Sequence, residues 1–332
     1  MNRFWKFTIG IVFLLAFFFF VGPHPSTPIY NKVLPSIPSG SDSLEKYIND
    51  AESKHKLKYD NEARIVWNDS TKQKTDYAIV YLHGFSSSQG EGAPTHRTIA
   101  KNFGCNLYLS RLAEHGIDTS EQLVNLTADN YWESAKEALA IGKQIGKKVI
   151  LMGTSSGGAL SLQLAAAFPD DVVGTILYSP NIAINDKSAW ILNQPWGLQI
   201  ARMVIGDNYL KGTHNDSLNN RYWNTSYRIE AAVALQEIVA TTMNETTFKA
   251  VHQPTLALYY YKDEAQQDKV VKVSAIKSML ATIATPDSLK RGVAMPNVGN
   301  HVMCSSIRSN DVAGVIHQTE KFLIEVMHLK RL

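Results

Sequence analysis

A glycine-serine turn in the middle of the chain has the residue types of a hydrolytic nucleophile. Residues 149–160 read VILMGTSSGGAL, in which Gly153, Ser155 and Gly157 fit the pattern G-x-S-x-G. Only Ser155 can be the central serine, because centring the pattern on Ser156 would require glycine at position 154, which is a threonine. Glycines at these spacings let a serine occupy a tight strand-to-helix turn without side-chain clashes against the adjacent backbone. The pattern predicts Ser155 as a nucleophile.

Acyl transfer by a serine also needs backbone N–H groups that stabilise the oxyanion formed during attack. One is expected from the residue after the nucleophile, Ser156, and another from the loop after an earlier strand. An apolar run upstream ends in His83, Gly84 and Phe85, and the N–H of Phe85 is the predicted second donor. The alternative is that His83 and Gly84 form only a turn, with His83 a hydrogen-bonded structural residue.

A serine nucleophile requires a base, and the base requires an acid that orients it. His301 lies in a glycine-containing loop after the last predicted strand, in the chain order serine, acid, histidine that this chemistry follows on α/β sheets. For the acid, the segment YYYKDEAQQDKVVKV offers Asp263 directly after a predicted strand and Asp268 five residues further on. Glu264 is a third candidate. The residue types alone leave the acid open among these three.

The elements around these residues alternate between strand and helix. Short apolar runs predict strands at 77–84, 106–112, 148–153 and 172–180, with helices predicted at 130–146 and 156–169. The alternation stops over residues 181–253, which are rich in aromatic residues and asparagine, and resumes with a strand in PTLALYYYKD. Such alternation predicts an α/β fold with a parallel sheet covered by helices on both faces. We expect one domain, residues 44–332, that carries a cap inserted at about 181–253.

The sequence resembles the α/β-hydrolase superfamily over about residues 75–328. The resemblance rests on Ser155 between the glycines of G-x-S-x-G, on His83-Gly84, and on Asp268 and His301. Capped esterases, lysophospholipases and serine aminopeptidases are the most similar group. The resemblance implies a mostly parallel eight-stranded sheet, a Ser-His-Asp triad and no cofactor. The sequence Asp-Lys-Val-Val at 268 resembles the Asp-x-Val-Val that commonly carries the triad acid, which favours Asp268 over Asp263. AEHGID at 113–118 resembles the x-G-H-G loop of monoglyceride-lipase-like members but lacks the first glycine.

Composition excludes several other classes of function. The chain has 332 residues, of which 45% are hydrophobic and 19% charged, with a net charge of +3, and this near-balance does not predict a nucleic-acid partner. Neither a Cys-x-x-Cys pair nor a His-Glu-x-x-His helix is present, so we expect no metal site of those types. Cys105 and Cys304 could form at most one disulfide, and their spacing does not decide whether they pair.

The N-terminus predicts export of the chain. Arg3 and Lys6 precede an apolar run from Phe7 to Gly22, and sixteen helical residues span about 24 Å. We expect residues 1–22 to form an uncleaved transmembrane signal-anchor, with the catalytic domain on the non-cytoplasmic side. The alternative is a cleaved signal peptide and a secreted domain. Residues 23–43, with five prolines, predict an extended tether.

The sequence therefore predicts a serine hydrolase that cleaves a carboxylic ester of a small or lipid-derived molecule. The expected partners are that substrate and, through the N-terminal helix, a membrane; no obligate protein partner is indicated. Two other hypotheses stay open: an amide hydrolase similar to the serine aminopeptidases, and a non-catalytic binding protein of the same fold.

Overall fold

A seven-stranded sheet forms the centre of the protein. The computed structural model describes residues 3–212 and 216–332, so two residues of the predicted segment 1–22 and three of the predicted insertion 181–253 lie outside it. The strands are β1 (Arg64–Val66), β2 (Thr75–Leu82), β3 (Asn106–Leu109), β4 (Gly146–Thr154), β5 (Val172–Tyr178), β6 (Tyr209–Lys211), β7 (Ser226–Arg228), β8 (Thr255–Tyr259) and β9 (Lys290–Ala294).

The sheet has the order β1-β3-β2-β4-β5-β8-β9, and all its pairings are parallel except that of the edge strand β1 with β3. Strands β6 and β7 form a separate antiparallel pair. The prediction of a mostly parallel sheet is confirmed. The expected number of eight strands is wrong for the described residues, in which the main sheet has seven.

Helices cover both faces of the sheet. They are α1 (Arg3–Phe20), α2 (Ser41–Glu52), α3 (Thr95–Asn102), α4 (Ala128–Ile145), α5 (Ser156–Ala167), α6 (Gly197–Ile205), α7 (Ser217–Tyr222), α8 (Ile229–Thr242), α9 (Glu245–Lys249), α10 (Val273–Thr282) and α11 (Val312–Glu325). Three short 3₁₀ helices lie at Gln89–Gly92, Ala189–Asn193 and Asp287–Leu289.

The core divides into two hydrophobic clusters, one on each face of the sheet. Along β2, Ala78, Val80 and Leu82 belong to the cluster that includes α4, α5 and α10, whereas Ile79 and Tyr81 belong to the cluster under α3 and α11. Successive residues of a strand point to opposite faces. Because both faces are buried, β2 reads as a continuous apolar run rather than an alternating one, as expected for a parallel sheet.

The segment predicted as a cap leaves and re-enters the sheet between neighbouring strands. It carries α6 to α9 and the β6–β7 pair, while β5 and β8 on either side of it pair directly, from Thr175 with Thr255 to Tyr178 with Leu258. The insertion also contacts the loop after β2, since the N–H of Asn224 donates to the carbonyl of Ser86 at 2.6 Å.

The N-terminal helix differs from its prediction. Helix α1 has 18 residues, which span about 27 Å, less than the ~30 Å hydrocarbon core of a bilayer. Among the described residues, none of the helices combines the length and apolar character needed to cross a membrane. The predicted transmembrane signal-anchor is therefore not supported.

The segment after α1 lies against the folded domain. Residues 23–39 contain no helix or strand, yet the indole Nε1 of Trp132 donates to the carbonyl of Asn31 at 2.8 Å. The Nζ of Lys136 donates to the carbonyl of Val33 at 2.9 Å. Both donors belong to α4, so this part of the chain follows that helix. The boundaries 1–22, 23–43 and 44–332 stay predictions.

Candidate active site

Ser155 occupies the sharp turn between β4 and α5. Its φ of 54° and ψ of −116° lie outside the regions that side chains favour. A Cβ added at Gly157 would lie 2.0 Å from the carbonyl oxygen of Leu82, and one at Gly153 would lie 2.4 Å from the carbonyl oxygen of Gly157. The two glycines of G-x-S-x-G are thus required by close backbone approach, and that approach brings the end of β2 against the turn.

The backbone of Ser155 is held by the neighbouring strand. Its N–H donates to the carbonyl of Tyr178 at 2.9 Å, at the end of β5, and its own carbonyl accepts from the N–H groups of Asn181 at 2.9 Å and Gly158 at 3.0 Å. Hydrogen bonds on both sides fix the strained residue in place. The residue is 6% exposed.

Asp268 and His301 form a buried pair beside this turn. The Nδ1 of His301 lies 2.7 Å from Oδ2 of Asp268, whose side chain is fully buried. The other carboxylate oxygen, Oδ1, accepts from the N–H groups of Val270 at 2.8 Å and Val271 at 3.1 Å. These contacts orient the carboxylate so that Oδ2, and not Oδ1, faces the imidazole.

The electrostatics of the pair favour a charged imidazolium. Burial alone would lower the pKa of His301, but the carboxylates of Asp268 and, less strongly, Glu91 outweigh it, so that the pKa is raised. Burial alone would likewise raise the pKa of Asp268, but attraction to His301 and three hydrogen bonds lower it. The arrangement suits a base that becomes positively charged when it accepts a proton.

The two other acidic candidates do not reach His301. The chain between 261 and 267 folds into a small turn, in which the N–H of Lys262 donates to the carbonyl of Gln266 at 2.9 Å. Asp263 is exposed and accepts from the N–H of Ala265 at 2.9 Å within that turn. Glu264, also exposed, accepts from the hydroxyl of Tyr261 at 2.8 Å. The structure thus brings Asp268, but neither Asp263 nor Glu264, to the histidine.

Ser155 and His301 line one cavity of about 600 Å³. Phe85, Trp223, Tyr227 and Leu235 supply aromatic and aliphatic walls to the same space. In the part of the chain that the structure describes, no hydrogen bond joins His301 to Ser155. Hydrogen bonds between reacting groups are often long or poorly aligned until a substrate binds. A substrate in this cavity would lie against both side chains.

The two predicted oxyanion donors belong to segments that border the cavity or the nucleophile turn. Ser156 is the first residue of α5, a position whose N–H has no acceptor within the helix. Phe85 follows β2, at the strand end that abuts the turn, and lines the cavity. Its neighbour Ser86 is held in place because its N–H donates to Nε2 of His115 at 3.1 Å.

Comparison with known proteins agrees with this fold. A family model described as serine aminopeptidase, S33, matches residues 73–291, more than half of the chain and most of the sheet. The chain belongs to the serine aminopeptidase family S33. It is therefore a hydrolase with the α/β-hydrolase fold, as the sequence predicted.

Solved structures similar to this S33 chain share the fold at low sequence identity. A structure reported for LipS and LipT, two metagenome-derived lipolytic enzymes, is 18% identical, with a TM-score of 0.65 over 81% of this chain and 99% of that one. Est1E from Butyrivibrio proteoclasticus with ferulic acid bound is 16% identical, with a TM-score of 0.55 over 80% and 95%. A monoacylglycerol lipase from Paleococcus ferrophilus is 10% identical, with a TM-score of 0.56 over 79% and 98%. A search of curated proteins finds no significant match.

His83 has a structural role in this S33 hydrolase. It is fully buried, its Nδ1 donates to the carbonyl of Gly84 at 2.9 Å, and its Nε2 accepts from the N–H of Leu112 at 3.1 Å. Burial lowers its pKa to about 4, so the ring is neutral at physiological pH. Both ring nitrogens form hydrogen bonds, which agrees with the alternative that His83 is a hydrogen-bonded structural residue.

Glu91 is a site residue that sequence reasoning missed. Its Oε2 accepts from the N–H of Gly84 at 2.5 Å and from the hydroxyl of Ser87 at 2.9 Å, so the carboxylate joins both ends of the loop that carries Phe85. It is 2% exposed, and burial raises its pKa. We call this arrangement the Glu91 clamp. No spacing in SSSQGEG indicates it, because the contact forms only when the 3₁₀ turn at Gln89–Gly92 folds back on the loop.

The described residues of the S33 chain offer no clustered ligands for a metal. Within residues 3–212 and 216–332, no group of three or more His, Cys, Asp or Glu side chains could hold an ion. Cys105 and Cys304 are free and buried on the same face of the sheet, where they pack as small apolar side chains.

Proposed function

We propose that the protein is a serine esterase in which Ser155, His301 and Asp268 act as a catalytic triad. The observation that carries the proposal is the 2.7 Å Asp268–His301 pair, which borders the same cavity as the strained Ser155. A serine on such a turn, with an oriented histidine facing the same space, has the parts of acyl transfer to water.

The reaction has two halves. In the first, the Oγ of Ser155 bonds to the ester carbonyl carbon while the Nε2 of His301 takes the hydroxyl proton. The bond from that carbon to the alkoxy oxygen then breaks, and His301 returns the proton to the departing alcohol. In the second half, water attacks the acyl-serine with His301 again as base, releasing a carboxylic acid and free Ser155.

The protein stabilises the charges that develop on the way. The N–H groups of Phe85 and Ser156 are the proposed oxyanion donors, each worth about 3 kcal/mol in the transition state. Asp268 stabilises the imidazolium and holds the Nδ1 proton, so that Nε2 faces the substrate as an acceptor.

An ester is favoured as the substrate because the similar structures include lipolytic enzymes and a monoacylglycerol lipase. The apolar walls of the cavity suit a small or lipid-derived acyl or alcohol group. The family description names aminopeptidases, which makes amide hydrolysis the second candidate. An aminopeptidase requires a carboxylate for the substrate amine, and the cavity carboxylate Glu91 already accepts two hydrogen bonds.

The test compares p-nitrophenyl esters of increasing acyl length with aminoacyl nitroanilides, using the native chain and Ser155→Ala. We expect ester turnover that Ser155→Ala abolishes, and fluorophosphonate labelling that is lost in the same variant. Ser156→Ala should keep much of the ester turnover, because the proposed role of Ser156 in the reaction uses its backbone N–H, while its hydroxyl hydrogen-bonds to that of Tyr131 at 2.8 Å. Turnover of nitroanilides alone would overturn the ester assignment, and labelling that does not depend on Ser155 would overturn the triad.

We also propose that the catalytic domain works outside the cytoplasm. The support is the sequence order of basic residues followed by the apolar run Phe7–Gly22. Fusion of residues 1–43 to a reporter that needs disulfides for activity tests it. An inactive reporter, expressed at the level of a secreted control, would contradict export.

A further inference from the structure

Arg308 is a cation in the wall of the proposed catalytic cavity. It lies seven residues after His301, in the loop between β9 and α11, and lines the same space as Ser155 and His301. Its guanidinium lies over the ring of Trp223, with the central carbon 4.8 Å from the ring centroid. A buried aromatic residue thus holds the guanidinium in the cavity wall, since Trp223 is only 7% exposed.

The guanidinium has no anionic partner in the described part of the chain. By contrast, Arg111 is paired with Glu52 at 2.8 Å and Arg228 with Glu121 at 2.6 Å. Within the described residues we find no ion pair and no hydrogen bond from the Arg308 side chain, and its Nε is buried without an acceptor. Burial lowers its pKa, and the more distant charges of Asp216 and Glu91 offset this only in part.

The charges around the cavity favour an anion at this position. Lys269, the other basic residue of the lining, is exposed and outside any ion pair that the described chain contains. Glu91 is the acidic residue of the lining; its carboxylate accepts from Gly84 and Ser87, and its charge acts on both Arg308 and His301. An incoming group of negative charge would therefore meet two cations outside any ion pair of the described chain and a single carboxylate.

We propose that Arg308 forms an anion subsite and that the substrates are esters bearing a carboxylate. A planar guanidinium presents parallel N–H donors that match a carboxylate in two-point contact. The contact with Trp223 restricts the position of the guanidinium, so less freedom is lost when the ligand binds. This inference rests on the proposed esterase function, and it adds the chemical class of the substrate.

The experiment compares two esters that differ only in charge. These are the p-nitrophenyl monoester of glutaric acid and its methyl-capped neutral counterpart, for which kcat/KM is measured with the native chain, Arg308→Met and Arg291→Met. We expect the native chain to prefer the anionic ester by about tenfold, the scale of one charge-assisted interaction, and Arg308→Met to lose that preference. Arg291 is the control, because it is exposed and bonds only backbone carbonyls near its own position.

A binding measurement separates this proposal from the proposed reaction. Glutarate should bind Ser155→Ala by calorimetry, and adding Arg308→Met should weaken that binding about tenfold. Binding of this kind without ester turnover would support the subsite and refute the esterase. Ester turnover with equal or better use of the neutral ester, or an unchanged preference in Arg308→Met, would overturn the subsite and leave the esterase standing.

Discussion

Replacement of Asp268 by asparagine tests the acidic member of the proposed triad. Oδ1 of Asp268 accepts two backbone N–H groups, from Val270 and Val271, while Oδ2 faces Nδ1 of His301 at 2.7 Å. In Asp268→Asn the amide oxygen must stay at the Oδ1 position to satisfy those donors. Its NH₂ group would then point at His301 and force Nδ1 to accept. The ring proton would move to Nε2, the nitrogen that must take the proton of Ser155.

Asp268→Asn should therefore lose activity because His301 has the wrong tautomer, and not because the variant fails to fold. An inverted tautomer in a triad of this kind lowers kcat by about 10⁴-fold, or about 5 kcal/mol of transition-state stabilisation. Asp263→Asn is the matched control, because Asp263 is exposed and its hydrogen bonds stay within its own turn. We expect Asp263→Asn to stay within about twofold of the native rate, as for a surface change remote from the site.

The assay is steady-state hydrolysis of a p-nitrophenyl ester, with circular dichroism and thermal melting to show that both variants fold. Folded Asp268→Asn that keeps more than about a tenth of native kcat would refute the tautomer argument. Equal losses in Asp263→Asn and Asp268→Asn would show that the small turn at 261–267 rearranges in solution.

The remaining predictions concern the pH dependence, the glycines of G-x-S-x-G and the Glu91 clamp. The acid limb of the kcat/KM pH profile should have a midpoint above 6.5, the ordinary pKa of histidine. The reason is that His301 must be neutral to act as a base and its pKa is raised. A midpoint below 6.5 would contradict the pairing of His301 with Asp268. Gly157→Ala should abolish activity and destabilise the fold by roughly 1–3 kcal/mol, because its Cβ would lie 2.0 Å from the carbonyl oxygen of Leu82. An unchanged melting temperature would argue against that contact. Glu91→Gln should move the acid limb to lower pH, because it removes a charge that favours the imidazolium. The same variant should reduce kcat more than it changes KM. Superimposable pH profiles of the variant and the native chain would leave Glu91 only a packing role.

The strands and helices that position the site were largely predictable, because each is long and has a clear pattern. Helix α4, predicted at 130–146, runs Ala128–Ile145 and begins with a capping box between Thr127 and Asn130. By contrast, β1, β6 and β7 have three residues each, too few to show a period. Their positions depend on contacts with distant parts of the chain.

The site itself was predictable where chemistry restricts local sequence. The nucleophile turn needs glycine at fixed offsets, so Ser155 could be singled out. Asp263 and Asp268 both follow β8, and what separates them is the small turn that carries Asp263 outward. Glu91 and Arg308 have no local pattern because their environments are built from other elements, the loop after β2 and the ring of Trp223.

The direct pairing of β5 with β8 has a consequence for how specificity could change in this protein. The inserted segment begins and ends at adjacent strands, so its replacement by another sequence need not alter the register of the sheet. The proposed triad residues, Ser155, Asp268 and His301, all lie outside the insertion, whereas Trp223 and Tyr227 of the cavity wall lie inside it. We therefore expect that a different insertion can be grafted between these strands and change substrate choice, provided that the graft restores the hydrogen bond that Asn224 now gives to Ser86.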